Sequence, residues 1–328
     1  MRRRELLVSL GGAAIVWPTA ARAQQQAGGM RRIGVLMQTA ADDQESQARL
    51  TAFQDALQHA GWEVGRNLRI DVRWSTPDGQ LLTDAQSLVA LNPDVLLAGV
   101  GATIPALVRA TRVVPIVFAQ AIDPVGAGYV DSLARPGGNA TGFIQFEYSL
   151  AGKWLQLLKE VAPRIERVAV LREGGIAGIG QWAIIQAVAQ TLSVEPKPIT
   201  LTDAHGIERA ISAFANTPNG GLVVVVSAAA LTHRQLLLEL AARYQLPTVY
   251  PYRVFVTSGG LIAYGADIAS LYRRAASYVD RILNGEKPSD LPVQAPTRYE
   301  LAINAKSAQA LSLTIPQHLR VTADEVIE

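Results

Sequence analysis

Between Arg31 and Gln120 four short apolar runs alternate with three segments of helical spacing, and after a break rich in Gly and Pro the alternation begins again. The first set of runs is "RRIGVLM", "NLRIDVRWS", "DVLLAGV" and "PIVFAQ". Between them lie "SQARLTAFQDALQHAGW", which puts Leu50, Phe53 and Leu57 on one face, then "QLLTDAQSLVAL" and "IPALVRAT". The second set opens with the helical "SLAGKWLQLLKEVAP" and continues through the strands "ERVAVLRE", "PKPITL", "GLVVVVSA" and "PTVYPYRVF". Helices are expected between them, the first from about Gly180 to Leu192. Strictly alternating strands and helices predict parallel sheets with right-handed crossovers, so the fold class is α/β. Two such sets predict two doubly wound units with a crevice between them. The chain after Gly259 is expected to return to both units as a strand, a helix, a Gly/Pro turn, and another strand and helix, giving a hinge of several strands.

The first residues differ from the rest. "MRRRELLVSLGGAAIVWPTAARAQ" has a basic start, an apolar stretch too short to span a bilayer, and an A-x-A site at Ala21–Ala23. Residues 1–23 are expected to be a signal peptide cleaved near Ala23, residues 24–30 a linker, and the mature protein periplasmic. The paired arginines point to twin-arginine export, with general secretion as the alternative. Removing the leader's four arginines and one glutamate takes the chain from 30 basic and 28 acidic residues to 26 and 27. A near-neutral mature chain has no electrostatic footprint for nucleic acid.

Sites for chemistry are sparse. There is no cysteine, which excludes disulfides, zinc thiolates and a lipid-modified N-terminal Cys. The four histidines, His59, His205, His233 and His318, have no i, i+4 pair for a metal, and no G-x-S-x-G elbow occurs. "GGIAGIGQWA" carries Gly178, Gly180 and Ala183 in dinucleotide-fingerprint spacing. The preceding strand ends about five residues too early for that motif's tight turn, so a Gly-rich loop at the crevice edge is expected, with no cofactor.

Open parallel sheets bind ligands beyond the C-terminal ends of their strands. There the sequence places "QTAAD", "GATIP", "AIDPVG", "EGG", "SAAAL" and "YPYRV". The free N–H groups of Ala102, Thr103 and Ile104 are candidates for a ligand carboxylate. Asp123 is a candidate counter-charge for a ligand amine, or a turn cap. Tyr250, Tyr252 and Tyr264 are candidates for stacking on a ligand side chain, or core aromatics.

Three stretches, "DPVGAGYVDSLARPGGNATG", "GKWLQLLKEVAPRIERVAVL" and "GGLIAYGADIASLYRRAASYVDRILNGEKPSDLPVQAPTRYELAINAKSAQALSLTIP", together with the final "ADEVIE", resemble the ABC-transporter substrate-binding proteins of the tryptophan/tyrosine-binding-like family. The resemblance runs from Arg31 to the end. It implies a type I periplasmic binding protein, with two Rossmann-like lobes, parallel sheets and a three-segment hinge. Such a protein is not an enzyme. It would act as a monomer that closes on a small carboxylate-bearing ligand, an amino acid or an aromatic or apolar analogue, and hands it to a permease driven by a separate ATPase. By position, Thr39, Gly101, Ala102, Thr103, Gln120, Ala121, Asp123, Ser227, Tyr264 and Asp267 would line the cleft. The family commonly carries "SYGPD" where this chain has "AYGAD", a departure at Ala263 and Ala266. The expected partition is residues 31–147 plus 261–290 for the first lobe and 148–260 plus 291–328 for the second. The competing readings are a nucleotide-using doubly wound enzyme and a ligand-sensing module docking to a receptor.

Overall fold

The computed structural model describes residues 29–75 and 80–328, and not the side chain of Ile176. The leader and most of the linker lie outside these residues. Twelve strands form two sheets among them. The first sheet has five parallel strands in the order β2-β1-β3-β4-β5, with β1 Arg31–Met37, β2 Leu68–Trp74, β3 Val95–Ala98, β4 Ile116–Ala121 and β5 Ala140–Ile144. The second has seven strands in the order β12-β11-β10-β9-β8-β6-β7. They are β6 Arg167–Arg172, β7 Glu195–Thr200, β8 Gly220–Val224, β9 Thr248–Tyr250, β10 Ile262–Ala266, β11 Tyr299–Asn304 and β12 Glu325–Ile327. Only the β10–β11 pairing is antiparallel.

Helices cover both faces of each sheet, which explains why the central strands read as continuous apolar runs and do not alternate. In the first lobe α1 (Gln44–His59) starts at Asp43, whose carboxylate accepts from the Ser46 N–H, and buries Leu50, Phe53 and Leu57. The other face is covered by α2 (Leu81–Val89) and α3 (Ile104–Ala110). In the second lobe α4 (Leu150–Val161) and α5 (Ile176–Thr191) cover one face. The other face is covered by α6 (Ala204–Ala215), the short α7 (Ala228–Thr232), α8 (Arg234–Arg243) and α9 (Arg253–Thr257). The expected strand "PTVYPYRVF" is therefore cut short: β9 stops at Tyr250, and Arg253–Thr257 is helical.

The chain crosses between lobes three times, and this is where the expected partition is corrected. The first crossing follows β5, at 145–149. The second is the step from β10 into α10 (Ile268–Leu283), and the third runs from about Gln294 to Arg298. The expected return segment 261–290 splits at Asp267. β10 pairs with β9 and β11 in the second sheet, whereas α10 packs on α1 through Tyr272, Ala275 and Val279 and joins the first core. Residues 291–294 also belong to the first lobe: Thr141 donates its hydroxyl to the Leu291 carbonyl at 2.5 Å, and Gln294 N–H donates to the Gly142 carbonyl at 3.0 Å. The reason is physical. β10 is an apolar strand that needs two neighbours, and α10 is a strongly amphipathic helix whose stripe matches the α1 face. The remaining elements, α11 (Ala305–Ala310) and α12 (Gln317–Thr322), lie in the second lobe.

Gly142 makes the first crossing compact. Its φ of +147° suits glycine, and an added Cβ would stand 2.0 Å from the Phe118 carbonyl oxygen on β4. Gly142→Ala is expected to destabilise the first lobe by about 2–3 kcal/mol, read from the urea midpoint at unchanged m-value. A midpoint equal to wild type would show that β4 and β5 have slack at this point.

Candidate functional site

The sequence-predicted residues lie at or just after the ends of parallel strands β1, β3, β4, β8, β9 and β10 in unequal roles, and of them only Tyr252 and Asp267 line a cavity shared by both lobes. Thr39 follows β1, with Oγ1 buried and without a hydrogen-bond partner. Gly101–Thr103 is one 3-10 turn leading into α3. Its amides are mostly consumed: the Thr103 N–H donates to the Val100 carbonyl at 3.0 Å, and the Ile104 N–H to the Gly101 carbonyl. Thr103 is wholly buried and its hydroxyl also donates to Val100, at 2.7 Å. The expected trio of carboxylate-binding amides is thus reduced to that of Ala102.

Gln120 is buried, and its Nε2 donates to the Gly99 carbonyl at 3.2 Å. Ala121 is buried beside it and accepts the Gln145 N–H at 3.0 Å, which ties β4 to the first crossing. Asp123 has a left-handed φ of 44°. Its Oδ1 accepts the Gly126 N–H at 2.9 Å, and the Tyr148 hydroxyl donates to its Oδ2 at 3.4 Å. Desolvation first, and then the Asp123 charge, raise the Tyr148 phenol pKa. Ser227 is buried, and its Oγ accepts the Ala230 N–H at 3.1 Å as the cap of α7. Asp267 is the buried cap of α10: it accepts from the Ser270 N–H at 2.8 Å and from Arg273 at 3.1 Å, with Arg298 at 3.9 Å.

The three tyrosines separate. Tyr250 is a core residue stacked on Phe255 at 4.6 Å, and burial pushes its phenol pKa upward. It lines a second cavity, of about 180 Å³, between α8 and α11, not the cleft. Tyr264 is half-buried and stacks on Tyr299 at 5.8 Å, while its carbonyl accepts the Trp154 indole N–H at 2.6 Å. Tyr252 alone of the three faces the main cavity. The expected Gly-rich loop is also corrected. Gly178 and Gly180 lie inside α5, where Gly180 lets the helix approach the Tyr148 ring; an added Cβ would stand 2.4 Å from Cε1. With the helix already begun at Ile176, these glycines form no phosphate-cradling turn.

The main cavity, about 240 Å³, lies between α1 of the first lobe and the β9–α9 and β10–β11 region of the second, with the second crossing at its back. Its polar lining consists of Glu45, Arg49, Tyr252, Arg253, Asp267 and Glu300. Arg253 is satisfied by a fork onto Glu325, at 2.6 and 2.8 Å. Arg49 is not: its side chain is 14% exposed, its nearest carboxylate oxygen is that of Glu45 at 3.7 Å, and its Nε has no partner. Its charge is felt by the Tyr272 and Tyr252 phenols, opposing the burial that pushes Tyr272 up to about 12 and Tyr252 higher still. Gln145 and Glu173 also act on the Tyr252 hydroxyl, and Glu173 holds the Ala229 N–H at 2.7 Å. Glu300 is half-buried, and desolvation, followed by the Asp267 charge, raises its carboxyl pKa.

Arg49, Glu173 and Glu300 did not stand out as site residues in the sequence, although Arg49 carried a usable signal. It falls on the same helical face as buried Ser46 and Phe53, where an unpaired charge is out of place. Among the described residues, no group of three His, Asp or Glu side chains is arranged to hold a metal, and no helix is long and apolar enough to cross a membrane.

Comparison with known proteins agrees with this architecture. A tyrosine-binding protein of Clostridioides difficile strain R20291 is 25% identical over 269 residues, covering 80% of this chain and 75% of the relative. A conserved domain protein from Vibrio cholerae O1 biovar El Tor N16961 superposes with a TM-score of 0.81 at 26% identity, covering 90% of this chain and 99% of that one. The ABC domain of a Streptococcus pneumoniae protein in complex with L-Trp superposes with a TM-score of 0.82 at 23% identity, covering 91% and 100%. Sugar-binding proteins of ABC transporters share the same two-lobed fold at lower similarity, with a TM-score of 0.57 for that of Bacillus halodurans. The family model for ABC transporter substrate binding proteins matches residues 34–327, and the chain belongs to that family.

Proposed function

We propose that this protein is the solute-binding component of an importer, that it closes on an aromatic α-amino acid or close analogue, and that it performs no covalent chemistry. In this reading it works as a monomer outside the inner membrane and delivers the solute to a permease driven by a separate ATPase. The carrying observation is a cavity built jointly by α1 of the first lobe and the β9–α9 and β10–β11 region of the second, backed by a crossing segment and lined by charges of both signs. A family relative that binds tyrosine and a structural relative holding L-Trp support the ligand class. Hinge closure would bury the solute. Micromolar affinity corresponds to about −8 kcal/mol, so the apolar wall of Tyr252 and its neighbours must contribute beside any ion pair.

In the same reading Asp123 shapes the cleft lip. Its carboxylate is already engaged by the Gly126 N–H and the Tyr148 hydroxyl, which suits a turn cap better than a ligand counter-charge.

Calorimetry against the twenty amino acids is expected to show micromolar binding of L-tryptophan or L-tyrosine, and small-angle scattering a smaller radius of gyration on adding that ligand. A protein that binds no amino acid and keeps one radius throughout would end the proposal. Asp123→Ala is expected to cost about 1 kcal/mol of stability while changing ligand affinity less than threefold. A loss beyond tenfold in calorimetry, with the fold intact, would restore Asp123 as a ligand contact.

A further inference from the structure

Setting aside the satisfied charges of the main cavity leaves Glu45, Arg49 and Glu300, and of these Glu45 is exposed to solvent while the other two are partly buried. Arg253 is committed to Glu325 by two short bonds, and Asp267 to the Ser270 amide and Arg273. Arg49 keeps an orphaned Nε and only a 3.7 Å contact to the half-exposed carboxylate of Glu45. Glu300 makes no ion pair within 4.0 Å among the described residues, although Arg253 and Arg298 lie in its field. A guanidinium so enclosed and without a fork partner is poised for a carboxylate, whose geometry it matches in two parallel bonds. A half-buried carboxylate without a direct ion pair is correspondingly poised for an ammonium group. The two lie on opposite walls: Arg49 on α1 of the first lobe and Glu300 on β11 of the second.

We propose that Arg49 and Glu300 are the two charged poles of the ligand site, the Arg49 guanidinium taking the ligand's carboxylate and Glu300 its ammonium group. The assignment rests on the solute-binding reading above and replaces the 3-10 turn at Gly101–Thr103 as the carboxylate anchor. It makes the ligand itself the bridge between lobes. A zwitterion satisfies one charge from each wall at once, whereas a ligand with only one of the two groups leaves the other wall with an unpaired charge. Tyr252 supplies an aromatic surface in the same cavity for the ligand side chain.

The test uses the purified protein, three probes and calorimetry: L-tryptophan, L-tryptophanamide (no carboxylate) and indole-3-propionate (no amine). Wild type is expected to bind L-tryptophan at least tenfold tighter than either truncated probe. Arg49→Gln should weaken L-tryptophan and indole-3-propionate at least tenfold and leave the amide within twofold. Glu300→Gln should weaken L-tryptophan and the amide and leave indole-3-propionate within twofold. Arg49→Lys should fall between wild type and Arg49→Gln, because the charge is kept and the fork is lost. The ligand-free melting temperature of Arg49→Gln should equal or exceed wild type, since a poorly paired buried cation is removed. A lower melting temperature, or equal losses for all three probes, would assign Arg49 to the fold and overturn the proposal, as would unchanged L-tryptophan affinity. If wild type prefers another α-amino acid, that compound with its amide and deaminated form takes the same role. If it binds none, the solute reading and this assignment fall together.

Discussion

Parallel strands deliver all their C-terminal ends to one edge of a sheet, and the proposed cleft depends on having two such edges near each other. Neither sheet can form a site of this kind alone, because a single doubly wound lobe leaves its strand ends open to water. The three crossings resolve this, and they are not slack linkers. Ile144 donates its N–H to Gln294, Gln294 donates to Gly142, Asp267 donates to Arg298, and Gln145 donates to Ala121. The crossing segments are thus hydrogen-bonded to one another and to the first sheet. Any closure of the proposed kind would have to turn at the few residues between these bonds.

The same crossings determine which charges the cleft can hold. Asp267 sits at the second crossing and is neutralised locally by the α10 N-terminus, Arg273 and Arg298, so it serves geometry. Arg253 and Glu325 hold α9 against β12 in the second lobe. Asp123 orders the lip and touches Tyr148, whose ring in turn supports α5 at Gly180. Each of these groups has its partner within the protein. An internal partner lowers the cost of burial but also removes the group from recognition, because a ligand would have to displace a bond already made. In the proposed site, recognition therefore falls to groups whose partners are missing.

That distinction also explains how much was legible in the sequence. The strand–helix alternation, the break near Asp123 and the return segment after Gly259 specify two doubly wound lobes, because apolar periodicity reports burial directly. The assignment of β10 to the second sheet was not legible. An apolar strand followed at once by an amphipathic helix reads identically whether or not the chain changes lobe between them. The site was less legible: of the strand-end loops only the one after β9 lines the main cavity, and the sequence does not show which amides and carboxylates are already engaged. Thr103, Ser227 and Asp267 have the residue types expected of ligand contacts, and each closes a local turn or cap instead. Only the three-dimensional arrangement separates the two uses, since caps and ligand contacts draw on the same side chains.

The pair Tyr250 and Tyr252 shows how narrow the margin is. They are two residues apart, so continued strand geometry would point both to the same side. The chain instead leaves β9 after Tyr250 and starts α9 at Arg253, so Tyr250 lies in the core against Phe255 at 4.6 Å while Tyr252, 6.5 Å from the same ring, also reaches the cavity. Tyr250 then supports the floor of the second lobe, and Tyr252 is free to sit near Arg49, Gln145 and Glu173, which belong to the first lobe, the first crossing and the second lobe. One phenol at the end of a short strand thereby lies in the field of charges from both lobes. Its position depends on β9 being only three residues long. A longer β9 would carry Tyr252 into the sheet and leave the cavity without its aromatic wall.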